Sequence, residues 1–128
     1  RKRQVDCGPV EPVASSAVAP VRPSRSPPVS RITFVSKMTI KAGKEAEFVR
    51  ACRELEADVA QHEARDRTLW FGFFRLRDGE RRYCVIESFA DEAAEHAHMD
   101  SPWLKKRIQT FVDCVDGTWE REYFDPLP

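Results

Sequence analysis

Between Thr68 and Leu104 the chain changes its hydrophobic period once, and that change restricts the fold more than any other feature. Two runs rich in aromatic and β-branched residues, 68–76 and 82–89, flank a polar Asp78-Gly79 turn, the mark of a β-hairpin. Directly after Phe89 the period passes from two to about 3.6. Asp91 is available there as an N-cap, and Ala93, Ala94, Ala97 and His98 share one side of the helix that follows. Ser101-Pro102 opens a second helix, because proline at the first helical position gives up an N–H that has no partner there anyway.

The flanking segments complete the pattern. Ile32, Phe34, Ser36, Met38 and Ile40 alternate with polar residues, which predicts a half-buried strand over 31–40. After a turn at Lys41-Ala42-Gly43-Lys44, a helix over 44–63 lines up Phe48, Cys52, Leu55, Val59 and His62 on one face. In the strand from 68, Leu69, Phe71 and Phe73 oppose Trp70, Phe74 and Leu76, so both faces are apolar and should be covered. Gly72 there marks a bulge or a close approach to the backbone. In the strand 82–89, Tyr83, Val85, Glu87 and Phe89 alternate with Arg82, Cys84, Ile86 and Ser88. Leu104, Ile108, Phe111 and Val115 give the second short helix its stripe, Asp116-Gly117 ends it, and a last strand runs over 118–124. The order β-α-β-β-α-(α)-β predicts an α+β, ferredoxin-like split βαβ fold: a four-stranded antiparallel sheet with helices on one face. The other face stays apolar, so a second copy should cover it in a two-fold homodimer.

Equal numbers of basic and acidic residues, 21 each, remove the global electrostatic argument for nucleic acid or an anionic membrane. No apolar run approaches the roughly 18 residues of a spanning helix, and the N-terminus lacks the apolar core of a signal peptide; a soluble, cytoplasmic protein is expected. Residues 1–30 hold six of the nine prolines and no aromatic residue, with six of the chain's basic residues and two acids over 1–31. They read as a disordered tail or linker, with residues 31–128 as the folded domain. The start at Arg1 suggests numbering that begins inside a longer product or after processing, and residues 1–30 could tether this domain to another. Cys7, Cys52, Cys84 and Cys114 form no C-x-x-C pair and read as reduced thiols. Neither phosphate loops, zinc-spaced His/Cys clusters nor a Ser-His-Asp set occurs, so neither a metal nor a cofactor is expected.

The passage YCVIESFADEAAEHAHMDSPWLK, residues 83–105, resembles the antibiotic biosynthesis monooxygenase family, and MTIKAGKEAEF, residues 38–48, is similar to that family's opening. The resemblance covers about residues 31–124. It implies a dimeric α+β barrel with a pocket between sheet and helices in each protomer, taking a small aromatic substrate. Relatives oxidise quinols or tricyclic phenols with dioxygen and no cofactor, or degrade haem. Such oxidation needs a desolvated pocket that stabilises a phenolate. Characterised members place an Asn and a Trp near that pocket. This chain contains no Asn; Phe89 occupies the Trp position and Ser36 stands where the haem-degrading branch has its Asn.

Among candidate residues, His98 turns with Ala94 and Ala97 towards the sheet, where it could hydrogen-bond or deprotonate a phenol near neutral pH. His62 could close one rim, whereas His96 faces outward. Trp70 could stack on a flat substrate or serve the core or dimer interface. Arg75, in register with apolar residues, needs a partner such as Glu87 or a ligand anion. Tyr83 offers a phenolic hydroxyl at the pocket mouth, and Phe89 and Ser36 complete the substrate-binding set. The reading is a cofactor-independent monooxygenase. Its alternatives are a polyketide cyclase or isomerase with His98 as acid/base, and a non-catalytic dimerisation or ligand-binding module.

Overall fold

The structure, a computed structural model, describes residues 31–128. The expected linker and Cys7 lie outside the described residues. Eight elements follow one another: β1 (Ile32–Thr39), α1 (Glu45–His62), β2 (Thr68–Arg75), β3 (Arg82–Phe89), α2 (Glu92–Met99), α3 (Pro102–Lys105), α4 (Ile108–Cys114) and β4 (Glu120–Phe124). The strands form one sheet in the order β2-β3-β1-β4, with every neighbouring pair antiparallel. This is the ferredoxin-like arrangement read from the sequence.

Register sorts the side chains into two layers. Phe71, Glu87, Phe34 and Tyr123 form one row across the sheet, and Phe73, Val85, Ser36 and Arg121 form the next. Both rows lie on the helix-covered face. The α1 stripe of Phe48, Ala51, Cys52, Leu55 and Val59 is buried against this face, with Phe111 and Cys114 of α4. Phe48 sits at the centre, its ring 5.1 Å from Tyr83, 5.8 Å from Phe111 and 6.1 Å from Phe73. A second cluster joins Phe34, Phe89 and Ala94.

Several local expectations are corrected. The hairpin turns over 77–81, at the expected Asp78-Gly79, but its left-handed residue is Arg81, at φ 56°, whose Nε donates to Ile40 O at 2.9 Å. Gly79 is needed there for close approach, since a Cβ would lie 2.7 Å from the Arg82 side chain. The bulge in β2 falls between Thr68 and Trp70, not at Gly72. The single helix read over 102–115 is two, because Arg107 turns inward between them. Its Nη1 meets Asp58 Oδ2 at 2.7 Å and Trp103 O at 2.9 Å, and its backbone N–H takes a tight bond to Leu104 O. His62, read as part of the α1 stripe, is exposed.

The far face of β2 is not covered: Trp70 is 56% exposed and Phe74 45%. At the outer edge of β2 the Phe73 N–H is taken by Glu56 Oε2 at 2.7 Å. Cys52, Cys84 and Cys114 are free thiols. Among the described residues no helix is long and apolar enough to cross a membrane.

Phe48 gives the test of this packing. Phe48→Ala should cost about 3–5 kcal/mol of stability, by lost burial plus the cavity left behind. Urea denaturation should show a lower midpoint at unchanged slope.

Candidate functional site

The site begins with the caps that place α2 and α3. Asp91 Oδ1 accepts from Ala94 N at 2.9 Å and starts α2, whose buried side carries Ala94 and His98. Ser101 caps α3 through Leu104 N and donates its hydroxyl to His98 O at 2.7 Å, fixing the turn on which the histidine sits. Ala93 and Ala97 remain exposed, so the buried stripe is narrower than the sequence suggested.

His98 is 2% exposed and lies between two carboxyl groups. Its Nδ1 is 2.7 Å from Glu63 Oε2, and its Nε2 is 3.5 Å from Glu87 Oε1. The rings of Phe71 and Phe89 flank the imidazole at 5.0 and 5.2 Å. Glu63 also accepts from Trp103 Nε1 at 2.6 Å and from Thr68 Oγ1 at 2.5 Å. Burial alone would raise its pKa; the bonds from His98, Thr68 and Trp103 outweigh that and hold it below the usual carboxylate range. Glu63 is therefore a fixed anion, and Nδ1–H is the donor towards it. That leaves Nε2 facing Glu87.

Glu87 is the opposite case. Burial pushes its carboxyl up to about 7, against the lowering pull of His98 and Arg121. Its Oε1 is buried and has no hydrogen-bond partner. Arg121 lies one row along the sheet, its Nε donating to Ser36 Oγ at 2.9 Å and its guanidinium 4.2 Å from the centre of the Phe34 ring.

These groups border a cavity of about 70 Å³ between sheet and helices, the inner cleft. Leu55, Phe71, Phe73, Leu104, Phe111 and Trp119 supply its apolar wall; Glu87, His98 and Arg121 are its ionisable groups. Met99 and Ile108, both about two-fifths exposed, stand at its margin. An outer cleft of about 290 Å³ lies on the Glu63 side of His98, lined by His62, Arg67, Thr68 and Trp103. A third cleft, of about 400 Å³, lies between α1 and β2.

The candidate residues are thus dispersed. His98 is at the centre, Phe89 is fully buried beside it, and Ser36 is fully buried beneath Arg121. His62 belongs to the outer cleft, stacked on Trp103 at 4.8 Å and 20°. Tyr83 and Arg75 border the third cleft, where Tyr83 OH donates to Glu45 Oε1 at 2.7 Å. Arg75 makes no pair with Glu87; it sits opposite Tyr83 in the register, and Glu87 faces His98. Trp70 points from the opposite face of the sheet and does not reach the inner cleft.

Sequence reasoning missed Glu63, Arg121, Trp103 and Trp119, and named Glu87 only as a partner for Arg75. For Glu87 a signal existed: an acid alternating in phase with Tyr83, Val85 and Phe89 must be buried. Glu63 carried none, since its partners are 5, 35 and 40 residues away.

The strand order β2-β3-β1-β4, with helices over one face and a cleft beneath them, defines a ferredoxin-like α+β protein. Residues 31–109 match the antibiotic biosynthesis monooxygenase family, and the chain belongs to it. Similar solved structures include a Caulobacter crescentus CB15 protein carrying the provisional description antibiotic biosynthesis monooxygenase. It is 24% identical at a TM-score of 0.72, over 78% of this chain and 92% of that one. A conserved protein from Methanosarcina mazei Go1 is 21% identical at 0.68, over 76% and 93%. SnoaB, a cofactor-independent oxygenase from Streptomyces nogalater, is 21% identical at 0.63, over 77% and 95%. At these identities the likeness is one of fold. No curated protein matches the chain.

The raised Glu87 carboxyl has a stability consequence whose sign is fixed. Below its ordinary value near 4.5 the group is protonated in both states and costs nothing. As pH rises towards about 7, the unfolded chain releases a proton that the folded one keeps, so stability falls across that window. Glu63 acts in the opposite sense and only on acidification. Urea unfolding at about pH 5 and pH 8 should show the wild type losing up to about 3 kcal/mol, a slope absent from Glu87→Gln.

Proposed function

We propose that this protein is a cofactor-independent monooxygenase that oxidises a quinol-like or polyketide-like aromatic compound with dioxygen. The observation that carries the reading is a buried imidazole, oriented by a fixed carboxylate, at the wall of an apolar cleft between sheet and helices. Family membership and the cofactor-independent oxygenase SnoaB among similar structures support it. In such a cleft His98 is the base on which the proton of a phenolic hydroxyl comes to rest, and the electron-rich phenolate then reduces oxygen. One oxygen atom enters the ring and the other leaves as water, with two hydrogens from the substrate. All electrons come from the substrate, so no cofactor is required.

The active form is a homodimer in the cytoplasm, joined through the open sheet face. Trp70, Phe74 and Phe124 are 56, 45 and 38% exposed there, with Val35 and Ile86 between them. A second copy would remove this apolar surface from water. A second reading, cyclisation or isomerisation, draws on the pairing of a carboxyl with an imidazole in the same cleft. Product mass separates the two, because oxygenation adds an oxygen atom and cyclisation does not.

Oxygen uptake should rise above background with at least one member of a panel of hydroquinones and anthrones. His98→Gln should lower that rate by about 10²–10⁴-fold; uptake at background across the panel defeats the oxygenase reading. Sedimentation at micromolar concentration should give a dimer of the 14.7 kDa chain, and Trp70→Glu should give monomers that remain folded.

A further inference from the structure

The inner cleft has an unusual imbalance among its polar groups. His98 Nδ1 is taken by Glu63, whereas Nε2 stands 3.5 Å from Glu87 Oε1 without a hydrogen bond to it, with Phe71 and Phe89 tilted beside the ring. Glu87 Oε1, by contrast, is buried without a hydrogen-bond partner, and a buried carboxyl oxygen left unpaired is costly. Arg121 stands on the neighbouring strand position, spending its Nε on Ser36 and lining the same cavity. One acceptor and one cation thus face a space that no side chain fills.

We propose that Glu87 Oε1 is the first acceptor of the substrate's hydroxyl proton, that Arg121 carries the charge of the resulting oxyanion, and that His98 receives the proton from Glu87. This rests on the reading of the inner cleft as a site for an acidic hydroxyl. The steps balance. The substrate O–H bond breaks, its electron pair stays on oxygen opposite the Arg121 guanidinium, and the proton bonds to Glu87 Oε1. It then crosses the 3.5 Å gap to His98 Nε2, giving an imidazolium held by Glu63 on the far side. Four charged groups from three elements act on Glu87: His98 and Glu95 of α2, Arg121 of β4 and Glu63 at the end of α1. A carboxyl poised near neutrality between them matches a shuttle better than a permanent anion does.

The cavity also limits what enters. Its 70 Å³ is less than half of the about 150 Å³ that holds a benzene ring. Only the hydroxyl-bearing edge of an aromatic compound fits, and its body rests at the mouth against Met99 and Ile108.

The test uses 4-nitrophenol, whose absorbance separates phenol from phenolate, with 4-nitroanisole as the analogue that has no proton to give. At about pH 7, where Glu87 begins to release its own proton, the wild type should bind both and show a phenolate band in excess of that in buffer only with 4-nitrophenol. Glu87→Gln should bind 4-nitroanisole unchanged while the phenolate band falls by about tenfold or more. Glu87→Asp, which keeps the acid, should restore part of it, and guards against a Gln variant that fails to fold. Arg121→Met should lose the band together with about tenfold in 4-nitrophenol affinity. A phenolate band that survives Glu87→Gln overturns the proposal and leaves the oxygenase reading standing. Binding of neither compound to the wild type overturns both.

Discussion

A single carboxylate, that of Glu63, accepts hydrogen bonds from three elements that are remote from one another in the chain: Thr68 at the head of β2, His98 in α2 and Trp103 in α3. Glu63 itself closes α1, its backbone N–H returning to Val59 O. Four pieces of the fold therefore meet at two oxygen atoms. The geometry of the candidate site follows, because the orientation of the His98 ring is set from this side. The position of α2 over the sheet is also set here, since the buried face of that short helix holds only Ala94 and His98. Replacing Glu63 would leave an imidazole N–H and an indole N–H without their acceptor in a buried site, so the cost would fall on the fold as well as on chemistry.

The fold was legible in the sequence because it is written in periodicities. Alternation in 31–40 and 82–89 gave the central strands, the Phe48-Cys52-Leu55-Val59 spacing gave α1, and Asp91 and Ser101-Pro102 gave the starts of α2 and α3. Departures occurred where a long side chain overrode local preference. Arg107 breaks the last helix by reaching Asp58, and Arg81 takes a left-handed conformation that nothing in the turn sequence marks. Neither event has a local signature.

The site was legible only in part, and for a related reason. His98 could be found because helix phase aims it at the sheet. Its two carboxyl groups come from elsewhere: Glu63 stands at the end of α1 with nothing local to mark its partners, and the phase of Glu87 in β3 shows that it is buried but not that it faces His98. The aromatic residues misled in the other direction. Trp70 is the most conspicuous side chain in β2, yet strand alternation sends it to the face away from the helices. Ser36 and Arg121, 85 positions apart in the chain, are brought together only by the pairing of β1 with β4.

The bond from the Phe73 amide to Glu56 bears on how the sheet ends. β2 is an outer strand, and an outer strand offers amides to any extended segment that drifts alongside. A helix carboxylate laid across that border occupies one of those amides with a partner of its own chain and places a negative charge there. A foreign strand would have to displace an ion as well as water in order to join, so on this flank the protein resists the templated growth that begins many fibrils.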